Sequence, residues 1–412
     1  MIGRIRVLDS AKRTMQRLGY LKALAALVNE FETSNLETLG KRLISRVTQR
    51  VRLSPPFDEN LQEYARTRLT DGAYRQLRKT IMDSTEPVNV ELQDVYLADK
   101  SLPSSAGKLV QNDWKKYPSL GISLELVKKG TYSALTRSLV FLAVTPKEEI
   151  AAFTELDRCN NPMRISDSQA VVLLFCLLEN DGEVALPLLQ SLVKQGAELF
   201  DERFAGDLLP NILREVVVTY SKRSLPAADR ERLSVLGKIA ANIEKWKGKP
   251  YTGGGAREEA IRVRLEPYCD LGLLSKPSRE KYAYQTTEAL KALVEHYCQF
   301  AEPDKFLQQD FFSAFAACRG IEVKPASDQE ATEALFRAGE ALKSPLGYAP
   351  ITDVGLLAGT RLVTERKCIL ELNRTVKLLQ SLQKRDPNFV RFTVDRMGAL
   401  AYVKFLKSVP GV

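Results

Sequence analysis

Met15, Leu18, Leu21, Leu24, Ala25 and Val28 fall at three- and four-residue steps, the spacing that turns one stripe of a helix toward a core. The same period returns at Leu36, Leu39, Leu43, Ile44 and Val47, and Ser54-Pro55-Pro56 ends that second helix near Val51. Residues 60–82 repeat the pattern up to Pro87, and residues 88–97 fit either a helix or a short strand. A further helix is predicted over 106–117 behind the cap Ser104-Ser105. Thr145-Pro146-Lys147-Glu148-Glu149 is a strong helix start, with a capping hydroxyl, proline in the first turn and acids at the positive helix end. From there to Trp246 the pattern is helical throughout: 168–179, a turn at Asn180-Asp181-Gly182, 184–200, and two runs opened by Pro210 and Pro226. The stretch VVLLFCLL within the first of these is apolar on every side, which predicts a central helix of a bundle.

Alternation with period two interrupts this helical text in a few places. After the linker KGKPYTGGG (247–255), an amphipathic helix begins near Arg257 and ends at Leu271-Gly272-Leu273-Leu274. The chain turns through Ser275-Lys276-Pro277-Ser278, alternates over Lys281-Tyr282-Ala283-Tyr284-Gln285-Thr286, and enters a helix that reaches Cys298. Two looser versions of the order occur elsewhere. One is Leu120-Gly121-Ile122 followed by alternation over 123–128, the basic turn Lys129-Gly130 and an apolar stretch over 138–144. The other is a helix over 368–383 followed by alternating 389–394, a turn at 395–398 and a pairing partner in 399–405.

Helix, strand, basic turn, strand, helix over 257–298 resembles the winged helix-turn-helix family. The resemblance implies a mostly α-helical fold: a helical bundle carrying one to three winged-helix units, each a few helices with a small β-hairpin. The expected organisation is a basic helical region over 1–87, a winged unit over 88–145, a helical bundle over 146–246 and a linker over 247–256. A winged unit over 257–300 follows, then a helical region over 301–412 that ends in a hairpin. The resemblance also implies duplex DNA as partner, held by Arg257, Arg262 and Arg264 on the helix, by Lys276, Arg279 and Lys281 in the turn, and by Lys128 and Lys129 in the looser upstream copy. Arg262 and Arg264 are two residues apart, so they cannot share one helix face closely. A scaffold that docks onto an ATPase or nuclease partner is the alternative, because winged domains also bind protein. By analogy, the make-up suits an accessory subunit of a prokaryotic antiviral defence or mobile-element system.

Charge supports a polyanionic partner without specifying one. The formal net charge is +9, and the first 52 residues hold eleven Lys/Arg against four Asp/Glu. The six cysteines are scattered without a CxxC, which fits a reducing, cytoplasmic setting; no secretory signal is expected, and 170–178 is too short an apolar run to span a bilayer. His296 is the only histidine, so histidine-rich zinc sites are excluded and any Ser-His-Asp system would have to use it. None of the Gly-Lys pairs has phosphate-loop spacing. Asp353 with Glu365-Arg366-Lys367 loosely resembles the PD-(D/E)xK nucleases, a metal-dependent second alternative. No cofactor is expected, and the leaning is away from an enzyme.

Overall fold

A computed structural model describes Leu18, Leu21, Ala25, Leu124 and residues 132–147, 165–225, 227–245, 256–276, 283–394 and 400–407. The chain divides into two compact units, one over Lys12–Gln169 and one holding Ala170–Val412. Both are mostly helical where described, with short strands confined to small sheets in the larger unit. No helix among the described residues is long and apolar enough to cross a membrane.

In the smaller unit α1 is Tyr132–Ala143. Residues 138–143, expected as an apolar stretch of a hairpin, therefore lie in a helix, whose buried Val140 and Phe141 supply core contacts. Thr145 closes α1 by donating to the Phe141 carbonyl at 2.7 Å and accepts from Gln169 Nε2 at 3.2 Å. Ser166 and Gln169 cap each other's backbone N–H at 2.8 and 3.3 Å, a reciprocal start for α2, Asp167–Lys194.

Helix α2 runs unbroken through Asn180-Asp181-Gly182, where the sequence predicts a turn. Three contacts hold the turn-forming residues in helix. Asn180 donates to the Cys176 carbonyl at 2.9 Å, Asp181 is buried against Arg264, and Gly182 lies so close to Pro303 that an added Cβ would be 3.2 Å from it. The apolar residues on either side are nearly all buried, so tertiary packing overrides local propensity.

The larger unit then runs twice from a helix through a strand and further helices to a pair of antiparallel strands. After α2 come β1 (Leu199–Asp201), α3 (Glu202–Ser221), α4 (Ala227–Glu244), α5 (Ala256–Asp270), β2 (Leu274–Ser275) and β3 (Ala283–Thr286). β3 is the central strand of an antiparallel sheet ordered β1-β3-β2, with Phe200 opposite Tyr284 and Ser275 opposite Gln285. Helices α6 (Glu288–Tyr297), α7 (Pro303–Gln309) and α8 (Phe311–Cys318) and strand β4 (Lys324–Pro325) follow. The second pass begins at α9 (Asp328–Leu342), continues through β5 (Ala349–Pro350) and α10 (Ile351–Arg361), and runs on as a π-helical turn at Leu362–Arg366. Strand β6 (Cys368–Ile369), α11 (Leu372–Arg385), β7 (Val390–Val394) and β8 (Leu400–Phe405) complete it. Again the last strand is central, in the order β5-β8-β7.

In sequence terms, the helix and strands expected over 257–286 form, but their sheet also needs β1, which the hydropathy pattern assigns to the preceding bundle. Residues 146–246 and 257–300 are thus joined by strand pairing. A three-residue strand between two long helices leaves almost no periodic trace. The linker 247–255 and the upstream hairpin segment 120–131 lie outside the described residues, apart from Leu124.

Candidate nucleic-acid interface

Six consecutive residues of α5, Arg264 to Cys269, are buried. At about 100° per residue they cover more than a full turn, so no side of this half of the helix faces solvent. Its two charged members are paired. Arg264 meets Asp181 of α2 through Nε at 2.8 Å and Nη2 at 3.0 Å, with both side chains 2% exposed. Glu266 bonds Lys276, and Tyr284 lies 2.6 Å from Glu266 and 3.1 Å from Glu202 through its hydroxyl. The Lys276 ammonium also sits 4.9 Å from the Tyr284 ring centre, and Phe200 stacks on that ring at 5.7 Å. Burial above all, then the carboxylates of Glu266 and Glu202, holds the Tyr284 phenol well above its ordinary range. It remains a hydrogen-bond donor between two acids.

Two of the expected DNA-binding residues are engaged within the fold: Arg264 binds α5 to α2 through Asp181, and Lys276 binds the end of β2 to α5 through Glu266. Arg257 and Arg262 lie on α5 with side chains outside the described residues; Arg279, Lys281, Lys128 and Lys129 lie outside them altogether. Over 257–298 seven Lys/Arg meet seven Asp/Glu, so this segment carries no net positive charge.

The second pass differs at the helix in the corresponding place. On α11, Asn373, Lys377, Gln380 and Lys384 fall within about 60° of one another at 100° per residue. Lys377, Gln380 and Lys384 are exposed and Asn373 is half-buried. Leu372, Thr375, Leu378 and Leu379 occupy the opposite side and are buried. Lys377 and Lys384 make no ion pair among the described residues, whereas Arg374 beside them is bound to Asp328 at 3.0 Å. Residues 372–407 contain eight Lys/Arg and two Asp/Glu. The stripe is therefore polar, cationic and about 16 Å long from Asn373 to Lys384 at 1.5 Å per residue.

The position of α11 is fixed at its start. Glu371 is the N-cap residue of α11, yet its carboxylate turns to α8 and accepts from Phe312 N at 3.2 Å, Ser313 N at 2.9 Å and Ser313 Oγ at 2.9 Å. It thus satisfies the open N–H groups of a neighbouring helix. Burial pushes its pKa up to about 7 against the opposing pull of these donors, with Asp310 adding a smaller upward push. Asp310 itself receives His296 Nδ1 at 2.6 Å, so the only histidine braces α6 against the α7–α8 junction. Gly355 lets α10 approach α11 closely, since a Cβ there would be 2.8 Å from Leu372, and Gly359 lets it approach α8, since a Cβ there would be 2.3 Å from the Phe312 ring.

The acids of the nuclease alternative are far apart. Asp353 is buried in the first turn of α10, and Glu365 is exposed in the π turn beyond its end. Twelve residues of helix separate them by about 18 Å. No group of three or more His, Cys, Asp or Glu among the described residues is placed to hold a metal ion. Compared with models of known protein families, with curated proteins and with solved structures, the chain finds no match.

The sequence favours 257–298 because a turn rich in Lys and Arg is expected at the surface. The available signal for α11 was its four-residue polar stripe set against an apolar one, together with the local excess of positive charge.

Proposed function

We propose that the two repeated paths, 167–286 and 328–405, are winged helix-turn-helix units and that the second binds duplex DNA. The long first helix, the strand before the second helix and the central third strand support this reading of the fold. The stripe Asn373, Lys377, Gln380 and Lys384 carries the functional reading. A helix of this kind fits the major groove, where amides pair with adenine edges and ammonium groups with guanine edges or phosphates. The activity is non-catalytic binding, and the first unit, neutral and with much of α5 enclosed, serves as a rigid support.

Fluorescence anisotropy with a labelled duplex tests the proposal. Wild-type protein binds, and its affinity falls steeply as salt rises because phosphate contacts release counterions. Lys377→Glu combined with Lys384→Glu lowers affinity at least about tenfold and makes the salt dependence shallower by about two contacts. Unchanged binding by that variant, with a folded circular dichroism spectrum, would reject α11 as the interface.

A further inference from the structure

The sheet of the second pass has an inner and an outer face. Ala349, Val403 and Val390 are buried on the inner face, where Phe405 packs against Phe336 with ring centres 5.5 Å apart. The register places Pro350 opposite Tyr402, Thr393 opposite Tyr402 and Arg391 opposite Lys404 on the outer face. Tyr348 joins this face, because Lys404 Nζ lies 5.4 Å from its ring centre. Tyr348, Pro350, Tyr402, Thr393 and Lys404 are half-buried and Arg391 is exposed.

Two features of this surface call for a ligand. Arg391 and Lys404 are like charges directly opposite each other, an arrangement that costs stability in a ladder. Lys404 turns its ammonium to the Leu346 carbonyl at 3.0 Å, and Arg391 has no acidic partner among the described residues. Beside this cationic pair stand two tyrosines on neighbouring strand positions, and no acid shares the face among the described residues. Paired cations suit a phosphate backbone, and aromatic rings that keep part of their surface open suit unstacked bases. An interior-facing role is excluded by the register, since alternate residues of the same strands already fill the core.

We infer that the outer face of the β5-β8-β7 sheet binds single-stranded DNA, so that the protein engages a junction where a duplex opens into a single strand. The choice of DNA rests on the reading of α11 given above; the stacking face itself does not depend on it. Arg391 and Lys404 hold the backbone, and Tyr348 and Tyr402 stack bases without regard to sequence.

Anisotropy with four probes at one salt concentration tests this: a blunt duplex, the same duplex with an unpaired dT tail, a dT oligomer and an rU oligomer. The tailed duplex is expected to bind at least about fivefold tighter than the blunt one, the low end of one stacked base. Tyr402→Ala and, separately, Arg391→Glu remove that advantage and weaken the dT oligomer to the same degree, leaving the blunt duplex within twofold. Arg391 is exposed, so its substitution reads the surface even where a tyrosine change disturbs the sheet. Equal affinity for tailed and blunt duplexes, oligomer binding that survives both substitutions, or preference for rU over dT would overturn the inference. If the dT oligomer binds through this face while no duplex binds, the α11 reading fails and the stacking face stands. If the duplex binds through α11 and the oligomer does not bind, the reverse holds.

Discussion

Arg264 and Lys276 show how burial changes what a basic residue does. Removing one member of a buried ion pair leaves its partner's charge without compensation, which typically costs about 3–5 kcal/mol, while replacing both by apolar groups of similar size is often close to neutral. Arg264→Ala is therefore expected to lower the urea midpoint of the larger unit strongly, and Arg264→Met with Asp181→Leu to restore most of it. A double variant as unstable as the single one would mean that Asp181 is held mainly by other contacts. Glu371 carries the opposite kind of prediction, because its pKa is raised on folding. Between its unfolded value near 4.5 and its folded value of about 7, the native state binds the proton more tightly than the unfolded chain. Its contribution is thus most favourable below about pH 4.5 and is lost as pH rises through 7, by on the order of 3 kcal/mol. Urea titrations across that range should show the decline from this group in wild type and a flatter profile in Glu371→Gln.

Helices α9 and α10 each approach a neighbouring element closely, and glycine is what permits it. An alanine at Gly359 would drive its Cβ into the Phe312 ring, and one at Gly339 would meet Phe405 at 2.5 Å. Overpacking of this kind costs about 1–3 kcal/mol, so Gly359→Ala and Gly339→Ala should each lower the thermal midpoint. Gly237 in α4 has nothing within 4 Å of the same added atom, and Gly237→Ala should raise stability by about 0.5–1 kcal/mol. At this scale the sequence is most readable: α5, β3, α6, α11, β7 and β8 all lie where the three- and two-residue periods predict them. It was least readable where a signal is short or overridden. β1 has three residues, the β4–β6 ladder two on each side, and Asn180-Asp181-Gly182 stays helical only because Arg264 and Pro303 come from distant parts of the chain. The polar stripe of α11 was present in the sequence, but choosing it over the basic turn at 276–281 required knowing which lysine is enclosed.

Across the whole molecule, two similar folding paths carry different charge, and that contrast separates a specific interface from general attraction to a polyanion. A net charge of +9 alone would draw any duplex toward the protein and would respond to the total charge rather than to its location. Lys291 is an exposed cation on α6, paired with Glu288 at 2.7 Å, and Lys377 is an exposed cation on α11. Lys291→Glu and Lys377→Glu change the net charge by the same amount. If α11 enters the groove, Lys377→Glu weakens duplex binding by about tenfold or more and lowers the slope of log affinity against log salt by about one, whereas Lys291→Glu leaves both nearly unchanged. Paired salt titrations of the two variants make the comparison directly. Equal losses would assign the affinity to net charge and leave the division of roles between the two paths without support.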